Sequence, residues 1–313
     1  MKIYFAPMEG VTGYIYRNIF NSMFGRRIDK YFSPFIMAHE KCGMSPKEIK
    51  DVLPENNIGI SLVPQVMTNS STEFFILERI LTDMGYKEIN LNFGCPSKTV
   101  TSRNRGAGIL NDTTLLEKFL DNVFENNHCE VSVKTRIGVS DPEEFVDLLD
   151  IYNRFPIKEL IIHPRIMHEF YEGIPHTDVF EEALAKSKNP IVYNGNIFSK
   201  DSRYLDYFEN EKCSALMIGR GLVSNPGLAS EICGDERISI AQLYEFASTL
   251  CDEFEKQYSG ETPVLFKMKE IWGYIGGKTV PESTFEIDEK IYKKMLKTKS
   301  LKEFKILEKQ VLI

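Results

Sequence analysis

Eight short β-like segments recur along the chain at intervals of roughly 25 to 45 residues, the spacing of strand–helix units, and this rhythm restricts the fold more than any other feature. They cover residues 2–8, 30–35, 58–67, 88–94, 131–137, 159–165, 190–197 and 215–221. Amphipathic stretches separate most of them. Residues 72–84 and 114–126 carry apolar side chains at helical spacing, the second behind an Asp112-Thr113-Thr114 cap. Asp141-Pro142-Glu143-Glu144 opens another helix, and 199–207 reads as one capped by Ser199. Eight such units close into a (β/α)₈ TIM barrel or wind into an open sheet. The barrel is expected, because polar residues collect at the C-terminal end of nearly every segment, where barrels assemble their sites, and no GxGxxG follows any of them. After about residue 235 the rhythm stops. Residues 240–258, 263–275 and 286–312 read as helices, so a catalytic barrel at 1–235 and a small all-helical domain at 236–313 are expected.

The segment 88–94 carries the most pointed chemistry. It ends in Asn92-Phe93-Gly94-Cys95-Pro96, with Pro96 preventing the strand from continuing, so Cys95 stands on a turn fixed to a rigid element. The other ends supply Pro7 and Met8, Gln65, Lys134 and Arg136, and His163 and Arg165. The last two give Asn194-Gly195-Asn196 and Gly219-Arg220-Gly221, followed by Ser224-Asn225-Pro226. Barrels commonly hold a phosphate at these two positions, and Arg220 adds a charge-assisted clamp. A cofactor with one phosphate tail, such as FMN, fits this pattern; a phosphorylated substrate fits it as well.

Composition narrows the setting. With 313 residues, 42% hydrophobic, and no apolar run of the roughly 18 residues a membrane span needs, a cytoplasmic location without membrane attachment is expected. The six cysteines (Cys42, Cys95, Cys129, Cys213, Cys233, Cys251) form no CxxC pair and read as reduced thiols; neither they nor the five histidines show zinc-ligand spacing, so no metal is expected. The formal net charge of −7 is uneven: residues 290–309 hold eight lysines against Glu303 and Glu308, a local excess of 8 − 2 = +6. Such a patch, including Lys293, Lys294 and Lys297, can grip phosphates on an acidic protein.

Taken together these motifs resemble the dihydrouridine synthase family. The resemblance rests on Ala6-Pro7-Met8-Glu9-Gly10-Val11-Thr12, Asn92-Phe93-Gly94-Cys95-Pro96, Gly106-Ala107-Gly108-Ile109-Leu110 and Val133-Lys134-Thr135-Arg136-Ile137-Gly138. His163-Pro164-Arg165, Tyr171-Glu172-Gly173, Asn194-Gly195-Asn196 and Gly219-Arg220-Gly221 continue it in the expected order. It implies an FMN barrel with a C-terminal helical domain that reduces particular uridines in tRNA, with NADPH as reductant. By position, Pro7, Met8, Gln65, Lys134, His163, Asn194, Gly195, Asn196, Gly219 and Arg220 would hold FMN. Cys95 would donate the proton, Asn92, Arg136 and Arg165 would meet the substrate, and Lys293, Lys294 and Lys297 would meet RNA; a monomer is expected. The chain departs from the family pattern at Asn90, where Asp is usual, and at Ile166 and Glu169, where His-x-Arg-Thr-x-x-Gln-x-Tyr-x-Gly is usual.

The chemistry asks for the same parts. Reducing a uracil C5–C6 bond needs a hydride at one carbon and a proton at the other, and no side chain supplies a hydride. Reduced flavin would deliver it to C6 while Cys95, a thiol mostly protonated at neutral pH, protonates C5. Two rival readings are an FMN barrel reductase for a small molecule, of the dihydroorotate dehydrogenase or enoate reductase kind, and a non-catalytic RNA-binding relative.

Overall fold

The computed structural model describes residues 1–38, 43–209, 213–278, 280 and 284–312. Cys42 lies outside the described residues. Among these, nine parallel segments form one sheet, and the two at its ends, Leu62–Val63 and Gln65–Val66, are consecutive in the chain, separated by Pro64 alone. Proline has no N–H to give the ladder. The interruption is bridged by Gln65 N–H, which donates to Ser33 Oγ at 3.0 Å, and by the Pro64 carbonyl, which accepts from Asn90 N–H at 2.9 Å. The sheet therefore closes as an eight-stranded barrel: β1 (Ile3–Phe5), β2 (Lys30–Phe32), β3 (the two halves around Pro64), β4 (Glu88–Phe93), β5 (Glu130–Arg136), β6 (Leu160–His163), β7 (Ile191–Asn194) and β8 (Cys213–Ile218). Strand β1 pairs with β8 through Phe5↔Ile218.

Both faces of the strands are buried, which is why they read as apolar runs. Tyr4, Ala6, Phe32, Val63, Ile161, Val192, Ala215 and Met217 fill the barrel interior; the alternate residues pack outward under the helices. Counting by two from these inward positions places Gln65, His163 and Asn194 inside, toward the mouth. Registers set them beside Asn90, Asn92, Lys134 and Arg136: Gln65↔Asn90, Asn92↔Lys134 and Arg136↔His163 are paired. The opposite end is closed by charge. Lys30 Nζ sits 2.9 Å from Glu88 and 2.8 Å from Glu159, and Tyr4 O–H donates to Glu159 at 2.6 Å.

Some boundaries fall differently from the expectation. Residues 199–207 form only a 3-10 turn, Arg203–Leu205, and a short helix, Asp206–Glu209. Tyr204 is stacked on Tyr193 at 5.1 Å, an anchor that replaces the Ser199 cap. The helix after β5 starts at Glu144, not beside Asp141, because the Glu144 carboxylate accepts N–H bonds from Val139, Ser140 and Asp141. The span 286–312 is two helices, Glu289–Lys297 and Leu301–Val311, capped by Asp288 and Ser300. Ser300 Oγ accepts from Glu303 N–H, and Thr298 Oγ1 donates to the Glu303 carboxylate at 2.5 Å, so local capping wins over continuation.

The helical segment continues the barrel's outer layer. Helix Ile240–Gln257, opened by a Ser239/Gln242 capping box, sets Phe246 against Tyr16 and Phe24 of helix Tyr14–Phe24, at 5.6 and 5.4 Å. Inside this segment Glu308 is 1% exposed and accepts the Trp272 indole N–H at 2.7 Å. Burial pushes its carboxyl up to about 7. A carboxyl that holds its proton more tightly when folded stabilises below its ordinary range and costs stability as pH rises toward 7. Glu308→Gln keeps the acceptor for Trp272, so it should stabilise the protein at pH 8 by about 3 kcal/mol, from ~1.4 kcal/mol per pH unit, and have little effect at pH 4. Urea unfolding at the two pH values checks this.

Candidate active site

Cys95 is held by a hydrogen-bond chain that begins inside the barrel. Asn90 Nδ2 donates to Ser132 Oγ (2.9 Å), Gln65 Nε2 to Asn90 Oδ1 (2.8 Å), and Asn92 Nδ2 to Gln65 Oε1 (2.7 Å). Asn92 Oδ1 then accepts the N–H groups of Gly94 and Cys95, both at 3.0 Å. The Asn90 amide, which departs from the usual Asp, both donates and accepts in this chain. A carboxylate could not donate to Ser132. From the other side the Cys95 carbonyl accepts from Ala107 N–H at 2.9 Å. Gly106 lies at φ +56, and a Cβ there would stand 2.7 Å from the Cys95 oxygen, so the Gly106-Ala107-Gly108 segment can only be glycine at that contact. Burial raises the Cys95 thiol above its ordinary value, against the opposing pull of the Ser97 backbone and the charges of Arg136 and Lys134. It is a protonated thiol at neutral pH.

The two buried arginines are engaged by the protein itself. Arg136 donates to the carbonyls of Gly94 (2.9 Å), Ile166 (2.8 Å) and Phe170 (2.6 Å). Arg165 donates to those of Glu172 (2.9 Å) and Gly173 (2.6 Å) and to His163 Nε2 (3.1 Å). Each spends three of its donors inside the protein, and so they tie the Cys95 turn and the 166–173 segment to the barrel. Asn92 is engaged in the same sense, its oxygen by the turn and its nitrogen by Gln65. Glu169, the acid in place of the usual Gln, accepts Ile166 N–H at 2.9 Å and pairs with His176 Nε2 at 2.8 Å. Its charge serves the segment's own shape.

A cavity of about 280 Å³ opens beside this frame. Pro7 and Met8 line it from β1's end, Lys134 and His163 from β5 and β6. Asn194, Gly195, Asn196, Gly219 and Arg220 form its far end. Gln65 does not line it; it lies beneath, in the Asn90–Asn92 chain. Lys134 has no hydrogen-bond or ion-pair partner among the described residues, and burial together with the Arg136 charge lowers its ammonium to about 7. His163 is held neutral by burial and by the surrounding Arg136, Lys134, Arg165 and Arg220 charges. Because a guanidinium only donates, Nε2 of His163 accepts from Arg165 and the ring proton sits on Nδ1. Arg220 donates to Asn196 Oδ1 at 3.0 Å, with its guanidinium 4.7 Å from the Tyr171 ring centre.

No described carboxylate lines this cavity. An unpartnered ammonium, a guanidinium, and a glycine-bearing loop pair facing one another without a counter-anion suit a ligand that is flat at one end and anionic at the other. Close packing explains the glycines: a Cβ on Gly221 would lie 2.1 Å from the Ile197 carbonyl. Gly221→Ala must therefore displace the β7 or β8 loop. A loss of about 1–3 kcal/mol, the usual cost of overpacking, is expected in denaturant titration. Tyr171, Phe198 and Tyr274 also line the cavity and were not expected there. Tyr171 stood in a recognised motif, whereas nothing local in the sequence ties Tyr274, from helix Glu261–Ile275, to the barrel mouth.

Lys293, Lys294 and Lys297 do not line the cavity. Lys293 pairs with Glu289 at 2.9 Å and Lys294 with Glu303 at 3.3 Å, while Lys305 is bound by Asp252 and Glu255 of the neighbouring helix. The local excess of +6 within 290–309 includes Glu303 but not Glu289, Asp252 or Glu255, which lie outside it. Lys297 is exposed and has no such partner among the described residues.

The architecture and site define a parallel (β/α)₈-barrel enzyme with its cavity at the C-terminal ends of the strands. Residues 4–310 match the Dihydrouridine synthase (Dus) family, and the chain belongs to it. It is 26% identical to a probable tRNA-dihydrouridine synthase of Rickettsia conorii over 97% of both chains. It is 27% identical to the tRNA-dihydrouridine(16) synthase of Cupriavidus necator, over 74% of each. With a probable tRNA-dihydrouridine synthase of Staphylococcus epidermidis it shares 30% identity over 71% of this chain and 68% of the relative. Among solved structures, a morphinone reductase determined with tetrahydroNAD superposes with a TM-score of 0.54 at 10% identity, covering 75% of this chain and 87% of that one, and so shares the fold.

Proposed function

We propose that this protein reduces uridine in tRNA to 5,6-dihydrouridine, using FMN held in the 280 Å³ cavity and NADPH as the reductant. The observation that carries this reading is the cationic cavity at the barrel mouth, with no carboxylate among its described lining residues, and a protonated Cys95 fixed at the end of β4. Membership in the family and the names of its relatives supply the substrate class.

Pro7, Met8, Lys134, His163 and Asn194 would hold the ring system, and Gly195, Asn196, Gly219 and Arg220 the phosphate. When bound and reduced by NADPH, FMN would supply the hydride that uracil C6 accepts. Cys95 gives its Sγ proton to C5, and its resting proton is secured by burial. Lys134 faces the cavity with no hydrogen-bond or ion-pair partner among the described residues and can balance negative charge there; an adjacent anion would restore the ammonium that burial disfavours. Arg136 acts on Cys95 indirectly, through the Gly94 carbonyl. Gln65, Asn90 and Asn92 set the angle of the turn. Entry of a base from folded RNA requires extrusion, and the exposed cations of the final helices, Lys297 among them, are available to hold the backbone meanwhile.

The test is to purify the protein, assay bound FMN, and map dihydrouridine by mass spectrometry in unmodified tRNA incubated with protein and NADPH. Colourless protein that takes up no FMN, or tRNA unchanged by flavin-loaded protein, would defeat the proposal. A small-molecule reductase would instead oxidise NADPH without altering the RNA.

A further inference from the structure

A second cavity, about 560 Å³, lies between the barrel mouth and the helical segment and has no part in holding FMN or in positioning Cys95. Its barrel wall begins at Glu9 and Gly10, immediately after the Pro7 and Met8 of the FMN cavity. Lys267 lines this cavity and Tyr274 the other, from one helix, 274 − 267 = 7 residues apart. At ~1.5 Å per residue the two are about 10 Å apart along the helix axis, a span within reach of one dinucleotide.

Building on the FMN and NADPH reading, we propose that this cavity binds the adenosine-phosphate half of the dinucleotide reductant while its nicotinamide lies at the FMN cavity.

The walls suit a flat ring. Tyr14, Phe35 and Tyr258 are half-buried around the cavity, and the Tyr258 hydroxyl lies in the field of Lys47, Tyr14 and Asp51, so these groups converge. Gln257 Oε1 accepts from Tyr14 O–H at 3.1 Å and Lys50 Nζ at 2.8 Å, which leaves its amide N–H groups for the edge of a base. Lys47, 84% exposed at the rim, is placed to meet a phosphate.

The charges favour a small ligand over an RNA backbone. Three lysines (Lys47, Lys50, Lys267) face three carboxylates (Glu9, Glu48, Asp51), so the cavity lacks the cationic excess that gripping a run of RNA phosphates needs. The carboxylates already have partners: Asp51 holds Arg17 at 3.1 Å and Tyr14 N–H at 2.7 Å, Glu48 completes the Ser45 capping box, and Glu9 sits 3.7 Å from Lys47. Aromatic walls among charges that are mostly paired, with the Lys47 ammonium at the rim, fit an adenosine carrying a phosphate.

The experiment measures binding of 2′,5′-ADP to the flavin-loaded protein by calorimetry, in wild type, Lys47→Glu and Met37→Trp. Met37 lines the cavity, and the larger ring fills it. Both variants should weaken 2′,5′-ADP at least tenfold while FMN content and tRNA affinity stay unchanged. Lys47 is a surface residue, so its variant remains informative should Met37→Trp misfold. Unchanged 2′,5′-ADP affinity in Lys47→Glu and in folded Met37→Trp overturns the proposal, as does a loss confined to tRNA affinity. If NADPH fails to reduce the wild-type flavin, the FMN and NADPH reading falls and this one with it. If NADPH does reduce it but the variants bind 2′,5′-ADP normally, only this one falls.

Discussion

Cys95→Ala should keep its FMN and its reduction by NADPH while losing about 10²–10⁴-fold in uridine reduction, the range of a positioned general acid. The separation of the two half-reactions is the informative part. Cys95 does not line the 280 Å³ cavity, and its turn is supported by Asn92, Arg136 and Ala107 through backbone groups, none of which depends on the thiol. Removing Sγ therefore leaves the frame in place and takes away only the proton. Because burial lifts the thiol above its ordinary value, the wild-type rate should stay level through neutral pH and fall only on the alkaline side, as Sγ loses its proton. Anaerobic stopped-flow of flavin reduction, followed by dihydrouridine quantitation, measures the two steps separately. An unchanged product yield would remove Cys95 from the acid role.

Lys134→Gln should weaken FMN binding by roughly 10- to 100-fold, from the ~1.5–3 kcal/mol of a charge-assisted hydrogen bond. The pH dependence gives a sharper signature. With the cavity empty the ammonium titrates at about 7, lowered first by burial and then by Arg136. A ring acceptor of the bound ligand that takes a hydrogen bond from the ammonium raises that value, so above pH 7 association takes up a proton, and wild-type affinity should decline by up to about tenfold per pH unit. The glutamine variant has nothing to titrate there and should show a flat profile. Fluorescence titration of FMN between pH 6 and 9 distinguishes the two; parallel profiles would assign the pH dependence to another group.

The periodic part of this protein was legible in its sequence because strand–helix alternation is a local property. The barrel follows from it, and so does the position of Pro7, Met8, Lys134, His163 and the β7 and β8 loop residues at one cavity. What escaped is what depends on side-chain partners distant in the chain. Gln65 stands at the expected strand end, and what the sequence did not disclose is that its amide joins Asn90 and Asn92 in one chain of hydrogen bonds. The bonds from Arg136 and Arg165 to the 166–173 carbonyls could not be read from sequence, because those partners are fixed only by the folded segment. Tyr274 reaches the cavity only because the helical segment folds back over the mouth. The lysine-rich end reads as strongly basic in isolation, yet Glu289, Asp252 and Glu255 pair with parts of it from outside the counted window. Its division into two helices was set by Ser300, a cap inside an otherwise continuous helical pattern.

The most direct measurement is a single-turnover titration. Flavin-loaded protein is reduced with NADPH, freed of excess reductant under anaerobic conditions, and mixed with tRNA lacking dihydrouridine. The expected result is flavin reoxidation matched by one dihydrouridine per flavin. Reduced flavin that persists in the presence of that tRNA, or reoxidises without forming the product, would contradict a uridine-reducing centre at the barrel mouth.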